Sequence, residues 1–216
     1  MPINAILFDL DNTIYPASAG LMHALDSRIL AYMQERLGVT TEAALEIRRE
    51  YFATYGTTLR GLQLHDQVDP EEFLARVHDL RFEAFLDSDA ELDHLLGQIH
   101  ATKAIFTNSP TEHAQGVLKT LGIDRHFPQI FDIRFQEFLP KPDQRGYQRA
   151  LEQLGVLGTQ ACMVEDTLKN LTTARQLGML TIYISEEAPD HEHPADYVVP
   201  DIHAALRILL ELQRQR

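Results

Sequence analysis

Short apolar runs punctuate the chain at Ala5–Phe8, Ala104–Phe106, Ile130–Ile133, Cys162–Val164, Leu180–Ile184 and Tyr197–Val199. Their brevity and β-branched content predict buried strands rather than helix. Between them, apolar residues recur at helical spacing in Glu112–Leu121, Asp143–Leu154, Asn170–Leu177 and Ile202–Gln213. Ala114, Val117, Leu118 and Leu121, for example, fall on one helical face. Strand and helix therefore alternate from about Leu92 onward, which predicts an α/β fold with a parallel sheet covered on both faces. The first strand stands apart. The long stretch that follows it has helical spacing in Leu21–Leu37, Ala43–Tyr55 and Phe73–Phe85. The simplest arrangement is a helical domain inserted after the first strand, with connections at Tyr15–Ser18 and Leu86–Asp89. That divides the chain into a core of residues 1–15 and 87–216 and a helical cap of residues 16–86.

Composition narrows the partners. Of 216 residues, 44% are apolar and 24% charged, which suits a globular chain and argues against disorder. The formal net charge of -13 should repel nucleic acid and anionic lipid. An anionic substrate must then be held by a local positive site. The single cysteine, Cys162, lies in an apolar run and reads as a buried structural thiol. The N-terminus carries no secretory pattern, and no apolar run approaches the roughly 20 residues of a membrane span. A cytoplasmic protein is expected.

In an open α/β sheet, ligands bind beyond the carboxyl ends of the strands. Four strand-end segments offer reactive groups there: Asp9-Leu10-Asp11-Asn12-Thr13, Thr107-Asn108-Ser109-Pro110, Lys141-Pro142 and Glu165-Asp166-Thr167. Carboxylates two residues apart on an extended segment point the same way. One could attack phosphorus while the other handles a proton. Glu165 and Asp166 suit Mg²⁺, which prefers oxygen ligands and would offset repulsion between carboxylate and phosphate. Lys141 supplies a point charge, and Thr107 a hydroxyl donor. Ser109-Pro110 predicts an N-cap followed by proline at the first helical position, presenting a helix N-terminus to an anion.

Each segment alone has a plainer explanation. Asp-Asn is good turn chemistry, Thr107-Asn108-Ser109 suits a helix cap, Lys141-Pro142 suits a solvated loop, and acids such as Glu165-Asp166 often cap helices. The signal is the ordered set. His191-Glu192-His193 lacks a third ligand at zinc spacing and is rejected as a metal site. The glycine-rich patterns of nucleotide-binding loops are absent from the sequence.

The ordered set resembles the haloacid dehalogenase superfamily of phosphohydrolases over nearly the whole chain. Phe8–Thr13 is similar to its first motif, Thr107-Asn108 to its second, Lys141-Pro142 to its third and Glu165-Asp166 to its fourth. The resemblance implies a Rossmann-like core with a helical cap and a small phosphorylated metabolite as substrate; a monomer or homodimer is expected. It implies that Asp9 attacks phosphorus, and that Asp11 is general acid and then base while binding Mg²⁺ through its backbone carbonyl. Lys141 steadies the phosphate, and Thr107, Asn108 and Ser109 bind it. Asp166 is the clearest further metal ligand. Glu165 departs from the more usual aspartate and acts directly or through water. Asn170 stands where many relatives carry another acid.

Asp9–Pro16, Tyr55–Leu62 and Asp166–Leu171 are similar to pyrimidine 5′-nucleotidases, which implies UMP or CMP as substrate. Arg60 then either pairs with the substrate or is a solvated residue at a helix break, and His65 is a lesser cap candidate. The shared core leaves phosphoglycolate or sugar-phosphate phosphatase and phosphomutase open as alternatives. A haloacid dehalogenase would not need Asp11. A binding protein without turnover is disfavoured by the full motif set.

Overall fold

The computed structural model describes residues 2–186, 193 and 195–215. The apolar runs pair into one parallel sheet. Its strands are β1 (Ala5–Phe8), β2 (Thr102–Phe106), β3 (Gln129–Phe131), β4 (Ala161–Glu165), β5 (Leu180–Ile184) and β6 (Tyr197–Val199), in the order β3-β2-β1-β4-β5-β6. Every residue of β1 and β4 is buried, because helices cover both faces of a parallel sheet. Side chains alternate between the faces: Ile6 and Phe8 join one core cluster with Leu96, Val117 and Leu206. Leu7 joins the opposite cluster with Tyr147 and Leu171. Leu7 sits level with Ala104 on one side and Met163 on the other, so β1 is a fully paired central strand. The strand order runs outward in opposite directions from β1, which opens a crevice at its carboxyl end.

Nine α-helices lie among the described residues: α1 (Leu21–Leu37), α2 (Thr41–Tyr55), α3 (Thr58–His65), α4 (Pro70–Val77), α5 (Ala90–Gln98), α6 (Thr111–Leu121), α7 (Gln144–Leu154), α8 (Leu168–Gln176) and α9 (Ile202–Arg214). The first four lie in the β1–β2 connection and have their own core, including Leu25, Tyr32, Met33, Leu62, Phe73 and Val77. None of the described helices is long and apolar enough to cross a membrane.

Two expectations need correction. The continuous helical spacing of Phe73–Phe85 covers two elements, because α4 ends at Val77 and a separate 3-10 turn spans Phe82–Ala84. Phe73 and Val77 pack in the cap core, whereas Phe82 and Phe85 pack against the sheet's cluster. The apolar pattern thus continues while its target changes. The second is α3, which periodicity did not predict. Gly56 ends α2 at φ 84°, and the Thr57 hydroxyl accepts from the Arg60 N–H to start α3 one residue later. A side chain is strained at that φ. A Cβ there would also stand 3.0 Å from the Lys141 carbonyl oxygen, so the cap approaches the core loop closely at this point.

Gly61 sets the distance between α2 and α3. A Cβ on it would lie 2.1 Å from Tyr51 Cγ and 2.5 Å from Tyr51 Cβ, so Gly61→Ala must push the helices apart. A loss of about 1–3 kcal/mol is expected from this overpacking. Chemical denaturation of the two proteins, compared at constant slope, measures it.

Candidate active site

The Asp9 N–H donates to the Val164 carbonyl (2.9 Å), carrying the β1–β4 pairing one residue past β1 and aiming Asp9 into the crevice. Lys141 Nζ donates to Asp9 Oδ1 at 2.6 Å and to Glu165 Oε2 at 2.8 Å. Asn170 Nδ2 donates to the same Glu165 oxygen at 3.0 Å, and the Thr167 N–H donates to Glu165 Oε1 at 3.2 Å. Asn108 clamps the lysine's loop: its Oδ1 accepts from the Lys141 N–H at 2.8 Å, and its Nδ2 donates to the Lys141 carbonyl at 3.4 Å. The Lys141–Pro142 peptide is cis. Thr107 Oγ1 accepts from the Ser109 N–H at 3.0 Å, shaping the turn that follows β2.

Burial pushes the Asp9 carboxyl up to about 7, helped by nearby Glu165 and opposed by Lys141. Glu165 also rises to about 7, through burial partly offset by Lys141. Burial would lower the Lys141 ammonium, but the two carboxylates outweigh it and hold it above its ordinary value. Asp166 is raised by burial and then by Asp9. Carboxylate oxygens of Asp9, Glu165 and Asp166 lie within 4.8 Å of one another. Three acids face one lysine here, and their donor atoms are all oxygens. That set fits a hard divalent cation such as Mg²⁺.

Asp11 stands outside this carboxylate group, although it lines the same cavity as Asp9. The strand ends at Phe8, and the Ile14 N–H donates to the Leu10 carbonyl (2.9 Å), so residues 10–14 form a turn. Asn12 takes a left-handed φ of 59°, which asparagine tolerates. The turn directs Asp11 toward three donors: Tyr15 Oη at 2.6 Å, His113 Nε2 at 2.8 Å and Ser109 Oγ at 2.6 Å. Burial would raise the Asp11 carboxyl, but the His113 ring and the two hydroxyls hold it well below the usual carboxylate range. Ser109 is likewise not the N-cap of α6. Pro110 occupies that position without a side-chain bond. Asp132 satisfies the helix start instead, accepting from the Thr111 N–H (3.0 Å) and hydroxyl (2.7 Å).

A cavity of about 340 Å³ extends from Asp9, Lys141 and Asp166 to the cap helices. Thr107, Asn108 and Ser109 line its core side. Arg60 is not among its lining residues, although Gly56, Thr57, Thr58 and Leu59 just before it are. The cap cation on this wall is Arg48. His65 is exposed, accepts from or donates to Tyr55 Oη at 2.6 Å, and stacks on Tyr51. Cys162 is buried and free, and burial pushes its thiol up. His191 and Glu192 lie outside the described residues.

Sequence reasoning missed Tyr15, His113, Asp132 and Arg48. His113 left a signal, since it lies four residues before Val117 on the buried face of α6. A histidine there needs a partner. Asp132 and Arg48 left none, because tertiary packing decides their contacts, whereas Tyr15 follows Asp11 by four residues and reaches it within the local turn.

The raised Asp9 carboxyl makes a prediction about stability. Unfolded, Asp9 ionises near its ordinary value of 3.8; folded, it ionises near 7. Between these values the folded state holds more protons, so this group's contribution to stability falls as pH rises. In chelator, Asp9→Asn should raise the melting temperature at pH 8 and change it little at pH 4, where Asp9 is largely protonated. Each kcal/mol gained is worth about 2–4 °C in a chain of this size. Thermal melts at both pH values check this, and equal shifts would show that ionisation of Asp9 is not the cause.

Comparison with known proteins gives the family and the fold. Residues 3–178 match the haloacid dehalogenase-like hydrolase family. Phosphate metabolism protein 8 of Saccharomyces cerevisiae is 26% identical over 91% of this chain and 65% of its own length, so the chain spans just under two thirds of that relative. Glyceraldehyde 3-phosphate phosphatase of Methanopyrus kandleri is 27% identical over 99% of this chain and 98% of its own. A solved HAD phosphatase from Thermococcus onnurineus shares the fold, with a TM-score of 0.67 at 22% identity over 97% of this chain and 98% of that one. With a family match running from before β1 to the end of α8, and a six-stranded parallel sheet that places Asp9 at its central crevice, the chain belongs to the haloacid dehalogenase-like hydrolases.

Proposed function

We propose that the chain is a Mg²⁺-dependent phosphomonoester hydrolase acting on small phosphorylated metabolites through an aspartyl phosphate on Asp9. The observation that carries this is the buried lysine bonded to both Asp9 and Glu165 at the carboxyl ends of β1 and β4. Lys141 keeps Asp9 in place and favours its ionised form, which is the nucleophile. An Asp9 oxygen attacks phosphorus as the bond to the leaving oxygen breaks, and Asp11 gives that oxygen a proton. The dianionic phosphate beside Asp11 raises its proton affinity for this step. Water then attacks the phosphorus of the aspartyl phosphate, Asp11 takes its proton, and inorganic phosphate leaves with Asp9 regenerated.

Thr107, Asn108 and Ser109 line the cavity and are the polar groups available to the phosphate. Both Glu165 oxygens already accept hydrogen bonds, so Asp9 and Asp166, with the Asp11 backbone carbonyl, are the groups that would hold the metal, and Glu165 would act on it directly or through water. A bound Mg²⁺ supplies charge that offsets repulsion between the carboxylate and the phosphate.

The finer assignment is a pyrimidine 5′-nucleotidase. Its support is the similarity of Tyr55–Leu62 to that subgroup, together with Gly56 to Leu59 of this segment lining the cavity. A hydrolysis panel of phosphorylated metabolites with Mg²⁺ tests both levels. UMP and CMP should exceed AMP, GMP and sugar phosphates. Chelator should abolish turnover and Mg²⁺ restore it. Folded Asp9→Asn should be inactive, and Asp11→Asn severely impaired. Normal turnover by Asp9→Asn would end the mechanism, whereas a purine or sugar-phosphate preference would remove only the subgroup.

A further inference from the structure

The cap wall of the cavity is mostly apolar, with Met22, Leu25, Ile29, Phe52, Leu59 and Phe73 facing it. One charged pair interrupts this wall. Arg48 of α2 donates through Nη2 to Asp26 Oδ1 of α1. Both residues line the cavity. Only part of the guanidinium is engaged, because Arg48 Nε is buried without a hydrogen-bond partner. Phe52 lies one turn after Arg48 on the same face of α2 and is 59% exposed, among the few large apolar side chains that are. An exposed aromatic ring, a part-used guanidinium and a neighbouring carboxylate therefore share one wall.

We propose that Arg48 and Asp26 read the leaving group. They select an uncharged planar group that rests on Phe52 and presents an adjacent hydrogen-bond acceptor and donor. This rests on the phosphatase reading above. The physical case has three parts. A planar ring replaces water on apolar walls and on the Phe52 face at no polar cost. A polyol against the same walls would leave hydroxyls unpaired, which is costly. A carboxylate-bearing leaving group would meet an arginine whose charge Asp26 already compensates, and would stand close to Asp26 itself. A pyrimidine edge with an acceptor beside a donor, O4 and N3–H in uracil or N3 and the amino group in cytosine, instead matches the Arg48 donor and the Asp26 acceptor together.

The competing explanation is that the pair merely ties α1 to α2. Three substrates measured with Mg²⁺ separate the two: UMP, whose base carries such an edge; 2-phosphoglycolate, whose leaving group is a carboxylate; and ribose 5-phosphate, a polyol. The wild-type kcat/KM should be highest for UMP. Arg48→Met should lower the ratio of UMP to ribose 5-phosphate by about tenfold to a hundredfold, mainly through KM, as expected for a lost charged hydrogen bond. The exchanged double variant Asp26→Arg/Arg48→Asp rebuilds the helix tie with donor and acceptor reversed. It should recover the melting temperature lost in Arg48→Met without recovering the substrate ratio. Recovery of both, an equal loss on all three substrates, or a wild-type preference for 2-phosphoglycolate or ribose 5-phosphate would overturn the inference. Hydrolysis of p-nitrophenyl phosphate without UMP would overturn it alone. No hydrolysis of any of the four would overturn the phosphatase reading with it.

Discussion

The ammonium of Lys141 is almost fully buried and bonds two carboxylates at the ends of two different strands. Such a charge is tolerable in an interior only when it is paired and its hydrogen bonds are made. Here the pairing reaches Asp9 beyond β1 and Glu165 at the end of β4, so one cation ties together the two central strand ends. The arrangement holds only while the loop is fixed, and Asn108 fixes it by bonding both the Lys141 N–H and its carbonyl. Asn170 adds a second donor to Glu165 from α8. The residues around the lysine thus serve its geometry before they serve any ligand.

Two aspartates separated by one leucine end in opposite electrostatic settings. Asp9 sits among acids and is pushed up to about 7. Asp11 sits among donors and is held far below the usual range. The turn after Phe8 produces this divergence, because it carries Asp11 to Tyr15, Ser109 and His113 while both aspartates still line one cavity. Titratable neighbours driven apart in this manner are suited to different tasks. Tyr15 and His113 matter as much to that separation as the aspartates do.

The sheet was legible because its strands are buried on both faces and so read as unbroken apolar runs. The strand-end chemistry was legible for a related reason. A parallel sheet brings its carboxyl ends to one rim, so Asp9, Lys141, Glu165 and Asp166 could be grouped before any distance was known. What the sequence hid depends on packing between distant segments. The helical spacing from Phe73 to Phe85 gave no sign that its apolar residues change partners near Val77. Ser109 looked like a helix cap because serine before proline suits that position, but Asp132, just past β3, bonds the helix start and Ser109 bonds Asp11. Arg60 carried the suggestive neighbours, and Arg48 reached the cavity, because the register of α2 against α1 is set by packing that no local pattern records.

Gly56 leaves the cap touching the Lys141 loop at a point with no side chain. Pro140 and Pro142 flank that point, and a Cβ on residue 56 would meet their ring carbons at 3.4 and 3.7 Å. Backbone and proline rings offer no ionic or hydrogen-bonding side chain here to bind one particular cap sequence. Contact at this spot is steric, and an ionic tie between cap and core lies elsewhere, where Arg134 donates to Glu71 of α4. Glycine at residue 56 therefore sets how closely cap and core approach here, and it does so with no side chain on the cap's side of the contact.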